Sequence, residues 1–257
     1  MNVCMWYIFY MMIHEQKPKQ RLYTTDNLGS ESSVTLTANQ THYLKNVMRC
    51  QIGDVIALFN GRDGEWLAEI VKLGKRAGIA VTTKVLKKQP EAKNSPWLVF
   101  APIKKNRMDF LVEKATELGA VALLPVITQH CQNTRLKQER IEAQTIEAAE
   151  QCERLDVPKV FKEQGLKRLL DHWPEGRILL VCAERSPEAK SFLELRKMGD
   201  IKEMGILIGP EGGFSREELE LFESYNFIQK ISLGSRILRA ETAVCTALSL
   251  CDALLQK

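Results

Sequence analysis

From residue 97 onward, short apolar runs alternate with segments of helical spacing, and this alternation limits the possible fold more than any other feature. The apolar runs cover residues 97–103, 121–127, 178–183, 205–208 and 228–233. The helical segments cover residues 105–118, 137–152 and 240–255, and Ser215 with Glu218 predicts the start of another helix. Short runs that are apolar throughout are typical of strands buried on both faces. The pattern therefore predicts an α/β fold with a mostly parallel sheet covered by helices on both faces.

Residues 21–86 have a different pattern, in which short strand-like stretches are separated by turn signals. The stretches are residues 33–37, 54–59, 66–71 and 79–86, and the turn dipeptides are Asn60-Gly61 and Asp63-Gly64. Thr37 and Gln40 have the spacing of a capping box and predict one helix that continues through Met48. This arrangement predicts a small β-barrel.

Residues 84–96 separate the two patterns, because this segment is polar, basic and contains two prolines. We divide the chain into an N-terminal extension (1–20), a barrel domain (21–88), a linker (89–96) and an α/β domain (97–257). The first 13 residues are almost wholly apolar, but they are too short to span a bilayer and lack a basic flank. We interpret them as an extension outside the fold, with a membrane-touching peptide as the alternative.

Positive charge is concentrated in the N-terminal third of the chain. Residues 21–95 contain 11 Lys and Arg against 7 Asp and Glu, a net charge of +4, whereas residues 96–257 contain 23 against 24, a net charge of −1. The basic excess favours a polyanionic partner there, and a solvated basic surface is an equal alternative.

Several classes of site are absent from the sequence. The seven cysteines are odd in number and form no C-x-x-C pair, which favours reduced thiols and a cytoplasmic location over disulfides or zinc. The four histidines lack metal-ligand spacing, so no metal is expected. No Gly-x-Gly and no phosphate-binding G-x-x-x-x-G-K-[ST] sequence occurs, which argues against the common dinucleotide and nucleotide folds.

Two loops that follow predicted strands are candidates for the functional site, because ligands of open α/β sheets bind beyond the carboxyl ends of the strands. The first loop, ILIGPEGGFS at residues 206–215, leaves a strand through Gly209, Pro210, Glu211, Gly212 and Gly213 and ends at a capped helix. Its glycines leave backbone groups accessible to a flat ligand. The alternative is a tight strand-to-helix turn, for which one glycine is enough.

The second loop, SLGSRILRAET at residues 232–242, places Arg236, Arg239 and Glu241 within six residues at the start of the last helix. Ordinary surface charge is the alternative interpretation. Arginine opposes the helix dipole at this end, however, so its presence favours an anionic partner.

In these two loops the sequence resembles a bacterial family of enzymes that methylate ring nitrogen N3 of a uridine in small-subunit (16S) ribosomal RNA. This family belongs to the SPOUT (trefoil-knot) class of methyltransferases. The resemblance runs from about Arg21 to the C-terminus, and the extension before Arg21 departs from it. The other matching pieces are Arg21-Leu22-Tyr23, His42-Tyr43-Leu44 with Val47-Met48-Arg49, Glu113-Lys114 through Glu117-Leu118-Gly119, and Glu150-Gln151-Cys152 with Arg154 and Val157-Pro158. Each piece is weak alone, but the ordered set is specific.

The resemblance implies a PUA-like RNA-binding barrel and a knotted catalytic domain that forms a homodimer, uses no metal and acts on small-subunit ribosomal RNA or the assembled subunit. It also implies that the methyl donor, S-adenosylmethionine, is held by the knot loops. The donor-binding residues would be Cys182, Ala183, Glu184, Leu207, Gly209, Pro210, Glu211, Gly212, Gly213, Leu233, Gly234, Ile237, Leu238 and Thr242.

For catalysis we expect Arg239 to stabilise the uridine anion and Arg236 to bind phosphate or base. Glu241 would accept the proton or orient Arg239. The expected RNA-binding residues are Arg21, Tyr23, His42, Arg49, Lys84, Lys87, Lys88 and Arg154.

Three other functions stay open at this point. One is a SPOUT enzyme that acts on another base or RNA, and another is a non-catalytic RNA-binding protein. A cytosine methyltransferase based on Cys152 is more distant, because Cys152 has neither a paired cysteine nor a base beside it in the sequence.

Overall fold

The structure, a computed structural model, describes residues 17–90, 95–131, 136–183, 186, 188–195 and 203–255. The chain divides into two compact units, residues 1–91 and 92–257. Most of the expected extension (residues 1–16) and the middle of the expected linker (residues 91–94) lie outside the described residues. No described helix combines the length and the apolar character that crossing a membrane requires.

The N-terminal unit is built on a five-stranded sheet. Its strands are β1 (Arg21–Tyr23), β2 (Ser33–Leu36), β3 (Val55–Phe59), β4 (Glu65–Leu73) and β5 (Gly78–Lys87). They lie in the order β1-β3-β4-β5-β2, and β1 pairs with β3 in parallel while the other pairs are antiparallel. Because β5 continues to Lys87, the first four residues of the basic segment 84–96 belong to a strand and not to a linker.

In the described part of the N-terminal unit, a helix packs on this sheet, and it begins where the sequence predicts. In α1 (Ala38–His42) the Thr37 hydroxyl accepts from the Gln40 backbone, and the Gln40 side chain accepts from the Thr37 backbone. The Gln40 amide also donates to the carbonyl oxygen of Tyr23 at 2.7 Å, which ties the helix to β1. The helix then changes to a π-helical turn, Tyr43–Val47, so the predicted regular helix through Met48 is correct in extent only.

The C-terminal unit contains one long parallel sheet. Its strands are β6 (Trp97–Phe100), β7 (Ala122–Ile127), β8 (Lys159–Val160), β9 (Gln164–Gly165), β10 (Ile178–Cys182), β11 (Lys190–Ser191), β12 (Met204–Ile208) and β13 (Ile228–Ser232). The order is β11-β13-β10-β12-β6-β7-β8, with β9 also paired to β7, and every pair is parallel.

The described helices of this unit cover both faces of the sheet, as predicted. They are α2 (Lys105–Glu117), α3 (Gln138–Gln151), α4 (Leu166–Asp171), α5 (Phe192–Leu195), α6 (Arg216–Glu223) and α7 (Ala240–Leu255). Successive strand residues alternate between the faces, so Leu98 and Phe100 pack with α2, α3 and α7, whereas Val99 packs with α4 and α6. Two cores therefore sandwich the sheet.

Candidate active site

A cavity of about 200 Å³ opens where three neighbouring strands end. β13, β10 and β12 are adjacent in the sheet, so the loops that follow them meet at one edge even though they are far apart in the chain. The cavity is lined by Cys182, Ala183, Ser186, Ile208, Gly209, Pro210, Glu211, Gly212, Gly213, Phe214, Leu219, Ile237, Leu238, Ala240 and Ala243. Its wall is mostly backbone and apolar side chains, with Glu211 as the charged group.

The glycine loop is folded tightly after β12. A Cβ atom at Gly209 would lie 2.9 Å from the Phe214 ring, so the ring can pack there only over a glycine. Gly213 has φ +73°, a conformation that other residues rarely adopt, and its N–H donates to the Pro210 carbonyl oxygen at 2.9 Å. Two of the glycines therefore serve the turn itself, one more than the single glycine that a turn was expected to need.

A second layer of contacts holds this loop against the segment that follows β7. The Glu218 carboxylate accepts from the Ser215 N–H at 2.9 Å, as the capping box requires, and from the Gln129 N–H at 2.8 Å. Next to it, the His130 Nδ1 atom lies 3.0 Å from the Gly213 carbonyl oxygen. His130 and Gln129 are contacts that the sequence did not indicate, because they depend on how segments distant in the chain come together.

The Glu217 carboxylate lies at the start of α6, close to this layer. Hydrogen bonds from its own backbone N–H and from the Ser215 hydroxyl hold its pKa below the usual value. A carboxylate that remains ionised there also complements the positive end of the helix dipole.

The loop after β13 forms the opposite wall of the cavity. Gly234 has φ +129°, and beyond it Ile237 and Leu238 contribute apolar side chains to the cavity. Ile237 is 74% exposed, which places a large apolar group at the mouth of the cavity. Arg236 and Arg239 on either side of these two residues are also exposed.

Glu241 lies in the first turn of α7, and its carboxylate faces Arg107 of α2. The Arg107 Nε atom is 3.7 Å from Glu241 Oε1, and Arg107 Nη1 is 3.7 Å from Glu211 Oε1 in the glycine loop. Among the described residues Glu241 pairs with Arg107, whereas one of its two expected roles was to orient Arg239. Glu241 Oε2 is buried and has no hydrogen-bond partner within the described part of the chain.

The predicted donor-binding residues fall into three groups. Nine line the cavity, namely Cys182, Ala183, Gly209, Pro210, Glu211, Gly212, Gly213, Ile237 and Leu238. Four lie outside its lining: the Leu207 side chain packs in the core, and Leu233, Gly234 and Thr242 flank the second loop. Glu184 lies outside the described residues.

Six lining residues were missed, namely Ser186, Ile208, Phe214, Leu219, Ala240 and Ala243. Two sequence signals point to four of them. Ile208 and Phe214 fall within the first candidate loop, residues 206–215, and the small residues Ala240 and Ala243 share one face of a helix that begins at the second loop.

The side chains of the predicted RNA-binding residues differ in how exposed they are. His42, Arg49, Lys84, Lys87 and Lys88 are exposed on the N-terminal unit. Arg21 is instead packed: its side chain is 11% exposed, pairs with Glu65 and lies over the Phe59 ring. Tyr23 is half-buried against the same ring.

Arg154, which was also predicted to bind RNA, makes its contacts within the C-terminal unit. Its side chain is only 12% exposed and donates to the carbonyl oxygens of Thr116 and Ala120, at the end of α2. It also pairs with Asp156 at 2.6 Å.

Cysteine and metal chemistry receive no support from the geometry. Burial raises the pKa of the Cys245 and Cys251 thiols in α7, which disfavours the reactive thiolate form. Cys152 is exposed at the end of α3, and its Sγ atom approaches the Ala149 carbonyl oxygen at 4.0 Å. Among the described residues, no three His, Cys, Asp or Glu side chains are grouped as a metal site.

Comparisons with known proteins agree with this architecture. The RNA methyltransferase domain family matches residues 90–252, and the RNA methyltransferase PUA domain family matches residues 36–82. The ribosomal RNA small subunit methyltransferase E of Rickettsia conorii is 37% identical over 230 residues, which cover 89% of this chain and 93% of that protein. The protein of the same name from Synechocystis is 34% identical over 232 residues, with 88% and 75% covered.

Solved structures show the same similarity. A ribosomal RNA small subunit methyltransferase E from Neisseria gonorrhoeae bound to S-adenosyl methionine has a TM-score of 0.77 at 30% identity, covering 91% of this chain and 97% of that chain. A putative methyltransferase from Legionella pneumophila in complex with the same cofactor has a TM-score of 0.79 at 27% identity, covering 91% and 96%. The predicted fold class, a SPOUT-type parallel sheet with a small PUA-like domain, is confirmed. The chain therefore belongs to the RNA methyltransferase family, and within that family to the group of the ribosomal RNA small subunit methyltransferase E proteins.

Proposed function

We propose that the protein transfers a methyl group from S-adenosylmethionine to ring nitrogen N3 of a specific uridine in 16S ribosomal RNA. The observation on which this proposal rests is the cavity at the meeting point of three strand-end loops, with the exposed Arg236 and Arg239 next to its lining. Relatives named for methylation of small-subunit ribosomal RNA, and similar structures bound to S-adenosylmethionine, support it.

The lining of the cavity suits the donor. An adenine ring needs a narrow apolar slot with backbone groups along its edge, and Gly209, Pro210 and Leu238 supply such surfaces. Gly212 and Gly213 are exposed and bring no side chain that would block the entrance. When bound, S-adenosylmethionine supplies a methyl group on a positively charged sulfur.

The protein's own part in the reaction is to prepare the acceptor base. The N3–H group of uridine is a weak acid, and its lone pair becomes available only when the proton leaves. The Arg239 guanidinium would stabilise the negative charge that then develops on the carbonyl oxygens, and Arg236 would hold a phosphate or the base. Glu241 has a buried oxygen, Oε2, with no described hydrogen-bond partner, and this atom is the candidate proton acceptor.

The exposed basic residues of the N-terminal unit would bind the RNA backbone, with His42, Arg49, Lys84, Lys87 and Lys88 as the proposed contacts. Because N3 lies on the pairing edge, the target uridine must be unpaired when it reacts. A homodimer in the cytoplasm, acting on RNA or on the assembled small subunit, is part of the same proposal.

Transfer of labelled methyl groups tests this function. Purified protein and labelled S-adenosylmethionine are incubated with small subunits, and separately with naked 16S ribosomal RNA, from a strain that lacks the protein. We expect one labelled nucleoside, N3-methyluridine, and no label on subunits from the parent strain. A different labelled nucleoside would favour an enzyme that acts on another base, and RNA binding without transfer would favour a non-catalytic protein.

A further inference from the structure

One guanidinium connects the two loops that border the cavity. Arg107 belongs to α2 and does not line the cavity, yet it faces Glu211 in the glycine loop and Glu241 in the first turn of α7, each at 3.7 Å. Both distances exceed that of a hydrogen bond, so these are ion pairs in which one cation is shared by two anions.

Arg107 differs from an ordinary surface arginine because it compensates the charge of a mostly buried carboxylate, that of Glu241. Glu241 is only 15% exposed, and one of its oxygens is fully shielded from solvent without a described partner. Without Arg107, both Glu241 and Glu211 would lose a cation that compensates their charge. Arg107 itself is 35% exposed, so it reaches both carboxylates from the rim.

We propose that Arg107 is a positioning residue that holds the glycine loop and the start of α7 in the spacing that binds the methyl donor. The proposal rests on the proposed function, because it assumes that this cavity takes S-adenosylmethionine. Arg107 acts through Glu211 and Glu241, and its planar guanidinium directs a different nitrogen toward each carboxylate, which the single nitrogen of a lysine ammonium cannot do.

The first test measures S-adenosylmethionine binding by titration calorimetry on the full-length protein without RNA. Arg107→Ala should weaken binding by about threefold to tenfold, because two partly exposed ion pairs contribute modestly. Arg107→Lys should recover part of the affinity. The matched control is Arg140→Ala, since Arg140 pairs with Asp109 of the same helix α2 and, within the described residues, forms no ion pair with either loop. Wild-type affinity in Arg107→Ala would overturn the proposal.

A double-substitution cycle shows whether Arg107 acts through the glycine loop. If it does, Arg107→Ala combined with Glu211→Gln should bind no more weakly than the weaker of the two single variants. If the two losses multiply, the residues act independently and the proposal is wrong. Should Arg107→Ala fail to fold, the same cycle is run with Arg107→Lys, which keeps the charge and the side-chain stem.

Kinetics separate positioning from general destabilisation. Arg107→Ala should raise the KM for S-adenosylmethionine and leave the KM for RNA unchanged, whereas a loss of folded protein would lower kcat without this selectivity.

Different results would overturn the proposed function and the proposal for Arg107. If wild-type protein does not bind S-adenosylmethionine, the proposed function fails, whereas binding without transfer to 16S RNA leaves the Arg107 measurements interpretable.

Discussion

The Nδ1 atom of His130 lies 3.0 Å from the carbonyl oxygen of Gly213, although 83 residues separate the two in the chain. A carbonyl oxygen only accepts, so His130 must donate its Nδ1 proton in this contact. The bond ties the segment after β7 to the last glycine of the cavity loop. It is reinforced by close packing, because a Cβ atom at Gly212 would lie 3.0 Å from the His130 Cβ atom.

His130→Ala should therefore weaken S-adenosylmethionine binding by about twofold to tenfold, the range expected for one hydrogen bond worth about 0.5–1.5 kcal/mol. Titration calorimetry measures the effect. His172→Ala is the matched control, because His172 Nδ1 contacts the Arg168 carbonyl oxygen at 2.9 Å within its own helix end. Equal affinities for both variants and the wild type would show that the contact does not order the loop.

Gly209→Ala should destabilise the C-terminal unit and weaken donor binding together. The added Cβ would lie 2.9 Å from the ring of Phe214, which packs perpendicular to Phe222 at 5.1 Å between centroids. Displacing this ring should cost about 1–3 kcal/mol. Thermal unfolding with and without S-adenosylmethionine checks both effects, since a weaker ligand raises the midpoint less.

The control for that substitution is Gly165→Ala, where an added Cβ has nothing within 4 Å and φ is −68°. A Gly209→Ala protein that unfolds at the wild-type temperature, with the same shift on donor binding, would contradict the role assigned to this glycine.

Local chemistry explains which parts of the fold were predictable. The capping boxes at Thr37 and Ser215 use side chains three residues apart, so each is determined by its own segment. The longer strands were predictable because the apolar residues of each strand lie within one short segment of the sequence. The two-residue strands β8, β9 and β11 were not, because they pair only where the neighbouring strand allows it.

The parts of the site that the sequence missed depend on the order of strands in the sheet. β10 lies between β12 and β13, and spacing along the chain does not indicate this. Once that order is known, the loops after these strands must share an edge, and Phe214, Ala240 and Arg107 fall next to them. Residue type alone also says little about Arg154, because an arginine that donates to the carbonyl oxygens at the end of α2 looks the same in the sequence as one that binds RNA.

The affinity for RNA should depend less steeply on salt concentration when lysines of the N-terminal unit are removed. Lys87 and Lys88 are exposed at the end of β5, and each phosphate contact adds about one unit to the slope of log K against log salt. The double variant Lys87→Ala/Lys88→Ala should therefore bind 16S RNA more weakly, with a slope smaller by about two. Filter binding across a salt series measures this.

Lys167→Ala provides the comparison for the lysine variant. Lys167 lies in the C-terminal unit and pairs with Asp171 at 2.8 Å, so its removal should leave both affinity and slope unchanged. Equal slopes for the wild type and the double variant would place the RNA surface elsewhere.

Arg239→Ala should strongly slow turnover while donor binding stays near the wild-type value. The side chain is exposed, and it is the backbone carbonyl of Arg239 that accepts from the Ala243 N–H at 2.8 Å, so the start of α7 does not depend on the guanidinium. Removing a cation from the positive end of a helix should not destabilise that helix. The loss should therefore appear in the chemical step, by about a hundredfold to a thousandfold if Arg239 stabilises the uridine anion. Single-turnover methyl transfer, compared with calorimetric donor binding, separates the two steps.

The control is Arg216→Ala, which removes an exposed arginine paired with Glu220 on α6 and should change neither the rate of methyl transfer nor donor binding. A variant at Arg239 that loses donor affinity in proportion to its rate would assign this residue to the donor site instead of the acceptor base.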